Sequence, residues 1–160
     1  MRAAFIRKYG KNDVVELGEL PRPKVDSKDV LVKVRAASVN PIDFKQRDGQ
    51  LRPIRSPRMP ITLGSDLSGV VEEVGSEVTN FTVGQEVFAR LDKDRTGAFA
   101  EYAVVQARHV APKPKNVSHV EAASIPLVGL TAWQALTDFG SLGAGQKVLI
   151  HAASGGVGTL

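Results

Sequence analysis

The sequence predicts a mainly β protein with added α structure: a barrel-like antiparallel domain, two linking helices, and one apolar strand running into a glycine-rich turn. Three observations carry that expectation. Short runs rich in β-branched residues recur from residue 2 to residue 114 with Gly, Pro, Asn and Asp between them, the punctuation of a β barrel. After Pro114 the period changes, and Ser118 with Glu121 makes a capping-box pair ahead of a helical segment. The last stretch, Val148-Leu-Ile150 and then Ala152-Ala-Ser-Gly-Gly-Val-Gly158, has the composition expected where a buried parallel strand turns into a helix.

Residues 2–8 and 14–20 read as a pair of antiparallel strands around the turn cluster Tyr9-Gly-Lys-Asn-Asp13. Pro21 and Pro23 end the second strand, and residues 30–39 form a longer one with partial alternation. Pro41 forces Asn40 toward an extended conformation, and Asp43 is placed to cap a short helix over residues 44–48. Residues 49–60 make a proline-rich loop carrying Arg52, Arg55 and Arg58, which suits an anionic ligand or plain solvation. A glycine-punctuated turn leads into a strand over residues 69–74. Further strands are expected over residues 83–90 and 97–105, with an edge segment over residues 109–114 whose prolines limit pairing. Ser118 opens a helix that Pro126 breaks, and residues 128–139 form a second helix stopped by Gly140.

Two stretches invite chemistry. Glycines at 155, 156 and 158 leave room for a pyrophosphate to reach backbone N–H groups at a helix N-terminus, where the dipole also favours an anion. Ala153 stands where the G-x-G-x-x-G pattern has its first glycine, so a ligand-free turn fits the same residues. Asn40 and Asp43 sit at a strand end beside apolar Ile42 and Phe44, a position where a rigid scaffold builds a site. An Asx turn with a helix cap would use both residues equally well.

Composition narrows the function classes. The 160 residues suffice for one well-cored domain and are too few for two of ordinary size. The chain is 42% hydrophobic and 24% charged, with no run near the ~18 apolar residues of a membrane span. Met1 to Tyr9 lacks the apolar core of a secretory signal, so a cytoplasmic protein is expected. The absence of cysteine excludes disulfides, thiolate metal ligands and a thiol nucleophile from this chain. Residues 1–60 carry a charge balance of +7 and residues 61–160 one of −3. The basic residues are scattered through strand positions without interleaved aromatics, which argues against nucleic acid as a partner.

Five motifs in order, Ala37-Ser-Val-Asn-Pro-Ile-Asp43, Leu63-Gly-Ser-Asp-Leu-Ser-Gly-Val-Val71, Gly97-Ala-Phe-Ala-Glu-Tyr102, Pro126-Leu-Val-Gly-Leu-Thr-Ala-Trp133 and Ala152-Ala-Ser-Gly-Gly-Val-Gly158, resemble the quinone oxidoreductase branch of the medium-chain dehydrogenase/reductase superfamily. Plant-type alkenal and enone reductases share much of the pattern. The resemblance implies a GroES-like catalytic domain over residues 1–117, then a helical linker and the start of a Rossmann domain over residues 118–160. It implies hydride transfer from NADPH to a quinone or an α,β-unsaturated carbonyl. Asn40 and Thr131 would lie near the nicotinamide, with Asp43 orienting the strand end of Asn40. Gly155, Gly156, Val157 and Gly158 would approach the pyrophosphate, and the Asn40 amide would donate to the acceptor oxygen. His109, His119 and His151 would be surface or supporting residues.

Zinc members of the superfamily place Cys where this chain has Asn40, a His before an acidic residue where it has Ser65 before Asp66, and their third ligand near Leu127. Asn, Ser and Leu cannot supply the usual ligand set, so no metal is expected. The sequence stops two residues after Gly158, and the expectation is a parent gene that continues with a Rossmann domain of about 130–150 residues. The residues that read the ribose 2′ position would lie there, and the 160-residue chain alone is expected to turn over little. A reading from another class stays open: a GroES-like binding or assembly module whose apolar strand pairs with a second copy of the chain.

Overall fold

The computed structural model describes residues 1–54, 57–92 and 95–160. The opening hairpin forms as expected. Strand β1 (Arg2–Ile6) buries Ala3, Phe5 and Ile6, and pairs antiparallel with β2 (Val15–Glu19) from Arg2↔Glu19 to Ile6↔Val15. A short strand β4 (Ile61–Thr62) takes the other edge of β1, completing a three-stranded sheet.

The second sheet has five strands in the order β7-β3-β5-β6-β8, all neighbours antiparallel. Its centre is β3 (Asp29–Ser38) against β5 (Asp66–Val74), flanked by β6 (Glu86–Arg90), β7 (Tyr102–Gln106) and the edge strand β8 (Val110–Pro112). The pairing of β3 with β5 slips twice, between Leu31 and Val32 and between Val34 and Ala36. There a Cβ on Gly69 would stand 2.3 Å from the Lys33 carbonyl oxygen, so only glycine lets the two backbones pass. Val30, Val32, Leu67, Val71, Val87 and Val105 fill the core inside this sheet. Phe99 packs against both sheets' apolar clusters, and its carbonyl accepts from the Ala4 N–H at 2.8 Å, closing the two sheets into a barrel-like body.

Several boundaries move. Strand β5 starts at Asp66 instead of residue 69, and β6 at Glu86 instead of residue 83. Residues 97–99 do not extend β7, because their N–H groups cross to Gly64 and Leu63. The short helix α1 (Pro41–Arg47) begins at Pro41, so Asp43 is its third residue and Asn40 its cap. The capping box of α2 (His119–Ser124) is present: Glu121 N–H donates to Ser118 Oγ at 3.2 Å and Ser118 N–H to Glu121 Oε2 at 2.7 Å. Helix α3 (Pro126–Gln134) starts on the proline expected to break its predecessor, and a π turn over Ala135–Phe139 carries it to Gly140.

The expected strand at Val148–Ile150 does not form. Its three residues pair with no strand among the described residues, and Leu149 is 83% exposed. Residues 152–159 make the glycine turn, in which Thr159 N–H donates to the Gly155 carbonyl at 3.1 Å. Arg52 lies over the Tyr9 ring, Arg58 is exposed, and Arg55 falls outside the described residues. No described helix is long and apolar enough to cross a membrane.

Candidate active site

The site grows from the junction of β3 and α1. Asn40 is extended (φ −121°, ψ 156°), as the following proline requires, and is 5% exposed. Asp43 turns back onto this junction. Its Oδ2 accepts the Asn40 N–H at 2.7 Å, while its Oδ1 accepts the Ser65 hydroxyl at 2.6 Å. The strand end is thereby fixed by a buried carboxylate from one turn into the helix.

Behind Asn40 lies Asp66, the first residue of β5 and fully buried. One oxygen does most of its bonding: Oδ2 accepts from Asn40 Nδ2 at 3.1 Å, from Ser38 Oγ at 3.3 Å and from the Leu127 N–H at 3.0 Å. Oδ1 is buried without a hydrogen-bond partner. Burial pushes the Asp66 carboxyl above its ordinary pKa, and the bonds from Leu127, Asn40 and Ser38 with the charge of Arg90 pull the other way. Asn40 Nδ2 also donates to Ser38 Oγ at 3.0 Å, so both amide hydrogens point inward. In the sequence Asp66 stands only as the acidic neighbour of Ser65, and its buried role is missed. An ionisable residue just ahead of an apolar strand is the signal that could have found it.

Of the three positions where zinc members carry ligands, Asn40 and Leu127 meet at Asp66, while the Ser65 hydroxyl turns to Asp43. Their chemistry does not fit the metal. They offer an amide, a hydroxyl already donating to Asp43 and a backbone N–H, and no group of three His, Cys, Asp or Glu is gathered among the described residues.

A cleft of about 1320 Å³ opens beside Asn40. Its walls come from the start of α1, from Phe88 to Arg90 of β6, from Arg108 to Ala111, and from α3. The glycine turn closes one side. Of the residues singled out in the sequence, Asn40, Thr131, Gly156 and Val157 line this one space, whereas Asp43, Gly155 and Gly158 do not. Thr131 Oγ1 donates to the Leu127 carbonyl at 2.7 Å. Two glycines of the turn, Gly158 and Gly156, serve different ends. A Cβ on Gly158 would stand 2.6 Å from Ala153 Cα, so that glycine is required by the turn itself. A Cβ on Gly156 would meet only Val128 Cγ1 at 3.3 Å and would occupy cleft space.

Among the described residues the cleft lining is apolar apart from Asn40, Thr131, Gln134 and the basic residues Lys45, Arg90, Arg108 and His109, and it includes no carboxylate. His109 is a wall residue with Nδ1 at 3.9 Å from Asp92. His119 joins α2 to the sheet, Nδ1 lying 2.8 Å from Ser68 Oγ and Nε2 3.1 Å from Glu86. His151 is exposed.

The alcohol dehydrogenase GroES-like domain family matches residues 26–115, more than half of the chain. The mitochondrial NAD(P)H oxidoreductase RTN4IP1 of Homo sapiens is 43% identical over 177 residues, covering 99% of this chain and 45% of that protein. The chloroplastic NADPH-dependent alkenal/one oxidoreductase of Arabidopsis thaliana is 37% identical over 169 residues, covering 100% of this chain and 43% of that protein. The structure of the quinone oxidoreductase from Coxiella burnetii superposes with a TM-score of 0.89 at 38% identity, covering 100% of this chain and 51% of the other. The chain therefore spans about half the length of the proteins it matches. With its barrel, its motifs and these relatives in agreement, the chain belongs to the alcohol dehydrogenase GroES-like domain family.

Proposed function

We propose that this chain is the catalytic-domain part of an oxidoreductase that passes a hydride from NADPH to a quinone or an α,β-unsaturated carbonyl without zinc. Residues 1–117 form the catalytic domain, and residues 118–160 form the linker and the opening of the dinucleotide-binding domain. The observation that carries this reading is the single cleft lined by Asn40, Thr131, Gly156 and Val157. Relatives named for NADPH-dependent alkenal/one reduction and for quinone reduction support it.

When bound, a reduced nicotinamide supplies the hydride, and the protein supplies position and electrostatics. Asn40 and Thr131 would hold the nicotinamide end, and the turn from Gly155 to Gly158, of which Gly156 and Val157 line the cleft, would receive the pyrophosphate. Lys45, Arg90 and Arg108 line the cleft and give it a positive field that draws a dinucleotide anion. Ile42, Phe88, Leu130 and Trp133 offer apolar wall for a flat conjugated acceptor. Asp43 holds the Asn40 backbone through a 2.7 Å bond. For the Asn40 amide to donate to the acceptor oxygen, one hydrogen must leave Ser38 or Asp66, and the negative charge growing on that oxygen provides the pull.

Trp133 is the only tryptophan, lines the cleft and is 67% exposed, so its fluorescence reports on occupancy. Titration of NADPH into the 160-residue chain is expected to give saturable quenching after correction for inner-filter absorption. Gly156→Val, which fills cleft space, is expected to weaken binding by about tenfold, equivalent to about 1.4 kcal/mol. Absence of quenching would overturn cofactor binding by this chain, and in company with concentration-dependent dimers would favour the assembly module. Unchanged affinity in the Gly156 variant would move the pyrophosphate away from the turn.

A further inference from the structure

The cleft has two walls from distant parts of the chain, and one carboxylate oxygen touches both. Asn40 stands at the end of β3, and Leu127 is the second residue of α3, the helix that carries Thr131 and Trp133. We propose that Asp66 is a positioning residue: its Oδ2 holds the Asn40 side chain and the first turn of α3 in register across the cleft. The inference rests on the reading of that cleft as the NADPH site.

Five observations support the assignment. The first N–H groups of a helix have no partner within it, and α3 receives no side-chain cap from Ile125. Asp66 supplies the missing acceptor from another element, placing its carboxylate at the helix N-terminus where the dipole favours an acceptor. From Leu127 the connection continues one turn along α3, since the Leu127 carbonyl accepts the Thr131 hydroxyl at 2.7 Å. On the opposite wall, the 3.1 Å bond from Asn40 Nδ2 to the same oxygen, with the 3.0 Å bond to Ser38, sets the rotation of the amide. Asp66 does not line the cleft, so it acts through Asn40 and α3 and not on a ligand.

The three bonds need an acceptor oxygen at the Oδ2 position, and Oδ1 has no partner to lose. Asp66→Asn can therefore keep the arrangement with its amide oxygen at Oδ2, whereas Asp66→Ala removes it. The experiment compares wild type, Asp66→Asn and Asp66→Ala by amide hydrogen exchange and by NADPH titration with Trp133 fluorescence. In wild type and in Asp66→Asn, the Leu127 backbone amide and the Asn40 side-chain amide are expected to be protected from exchange. In Asp66→Ala both are expected to lose protection, and NADPH affinity to fall by about tenfold or more while Asp66→Asn stays within about threefold of wild type. A core variant away from the cleft, Val71→Ala, controls for lost stability and is expected to leave both amide signals in place. Wild-type exchange of Leu127 at the unprotected rate would overturn the proposal, and so would an Asp66→Asn protein as impaired as Asp66→Ala. If Asp66→Ala fails to fold, the wild-type and Asp66→Asn measurements still decide it. Protected amides in a wild type that binds no NADPH would leave the Asp66 arrangement standing as structure and overturn both the cofactor reading and the positioning role built on it.

Discussion

A fully buried aspartate with one unpartnered oxygen has a sign of pH dependence opposite to that of most carboxylates. Burial raises the folded pKa of Asp66 above the unfolded value of about 4. Between those two values the native protein binds more protons than the unfolded chain, so this group's contribution to stability falls as pH rises through the window. Asp66→Asn abolishes that titration while keeping an acceptor for Asn40, Ser38 and Leu127. The difference in unfolding free energy between Asp66→Asn and wild type, from urea melts, is expected to move in the variant's favour as pH is raised from about 4 to about 7. A difference independent of pH would show that the folded carboxyl titrates at its ordinary value. Asn40 and Asp43 were legible as polar residues at a strand end, but the partners that orient them were not. Ser65 and Asp66 reach them from more than 20 positions away in the chain, beyond any local pattern.

Elements with local signals were the ones the sequence read well. Ser118 and Glu121 are three residues apart, and the reciprocal bonds of their capping box need nothing from elsewhere. Ser118→Ala is accordingly expected to cost about 1 kcal/mol, read as a lowered urea midpoint at unchanged m-value. No loss would mean that α2 is held by its buried Ala122 and Ala123 and by the His119 contacts alone. Strand β5 starts three residues ahead of the expected residue 69, because Asp66 finds buried partners that a glycine-punctuated stretch does not reveal. Residues 97–101 alternate like a strand, yet their N–H groups are used between the two sheets. Whether an extended segment joins a ladder depends on which edge is within reach, and that is a matter of tertiary placement.

At the scale of the molecule, stability is uneven. Val30 and Val32 lie in β3 with ladder partners on both sides, inside the main apolar cluster. Residues 148–150 have no strand partner among those described, and Leu149 is largely exposed. Amide exchange is expected to be slowest in β3 and β5 and close to the unprotected rate at Val148, Leu149 and Ile150. Strong protection over those three residues would mean that the segment pairs in solution, with another copy of the chain as the available partner. The same unevenness bears on the cleft, whose Asn40 wall is tied into the barrel by buried hydrogen bonds.

The sequence by itself determined the opening hairpin, the long strand over residues 30–39, the α2 cap, and the absence of a zinc ligand set, because each is written in neighbouring residues or in residue type. Tertiary structure decided which polar residues meet. The bonds to Asp66 Oδ2 join positions separated by 28, 26 and 61 residues, and none exists until the barrel closes. Val148–Ile150 has no strand partner among the described residues, and a strand needs a neighbour's N–H and C=O groups as well as its own apolar side chains. Burial did the rest. An aspartate becomes a shared acceptor between two walls of a cleft only when folding has removed the water that would otherwise satisfy it.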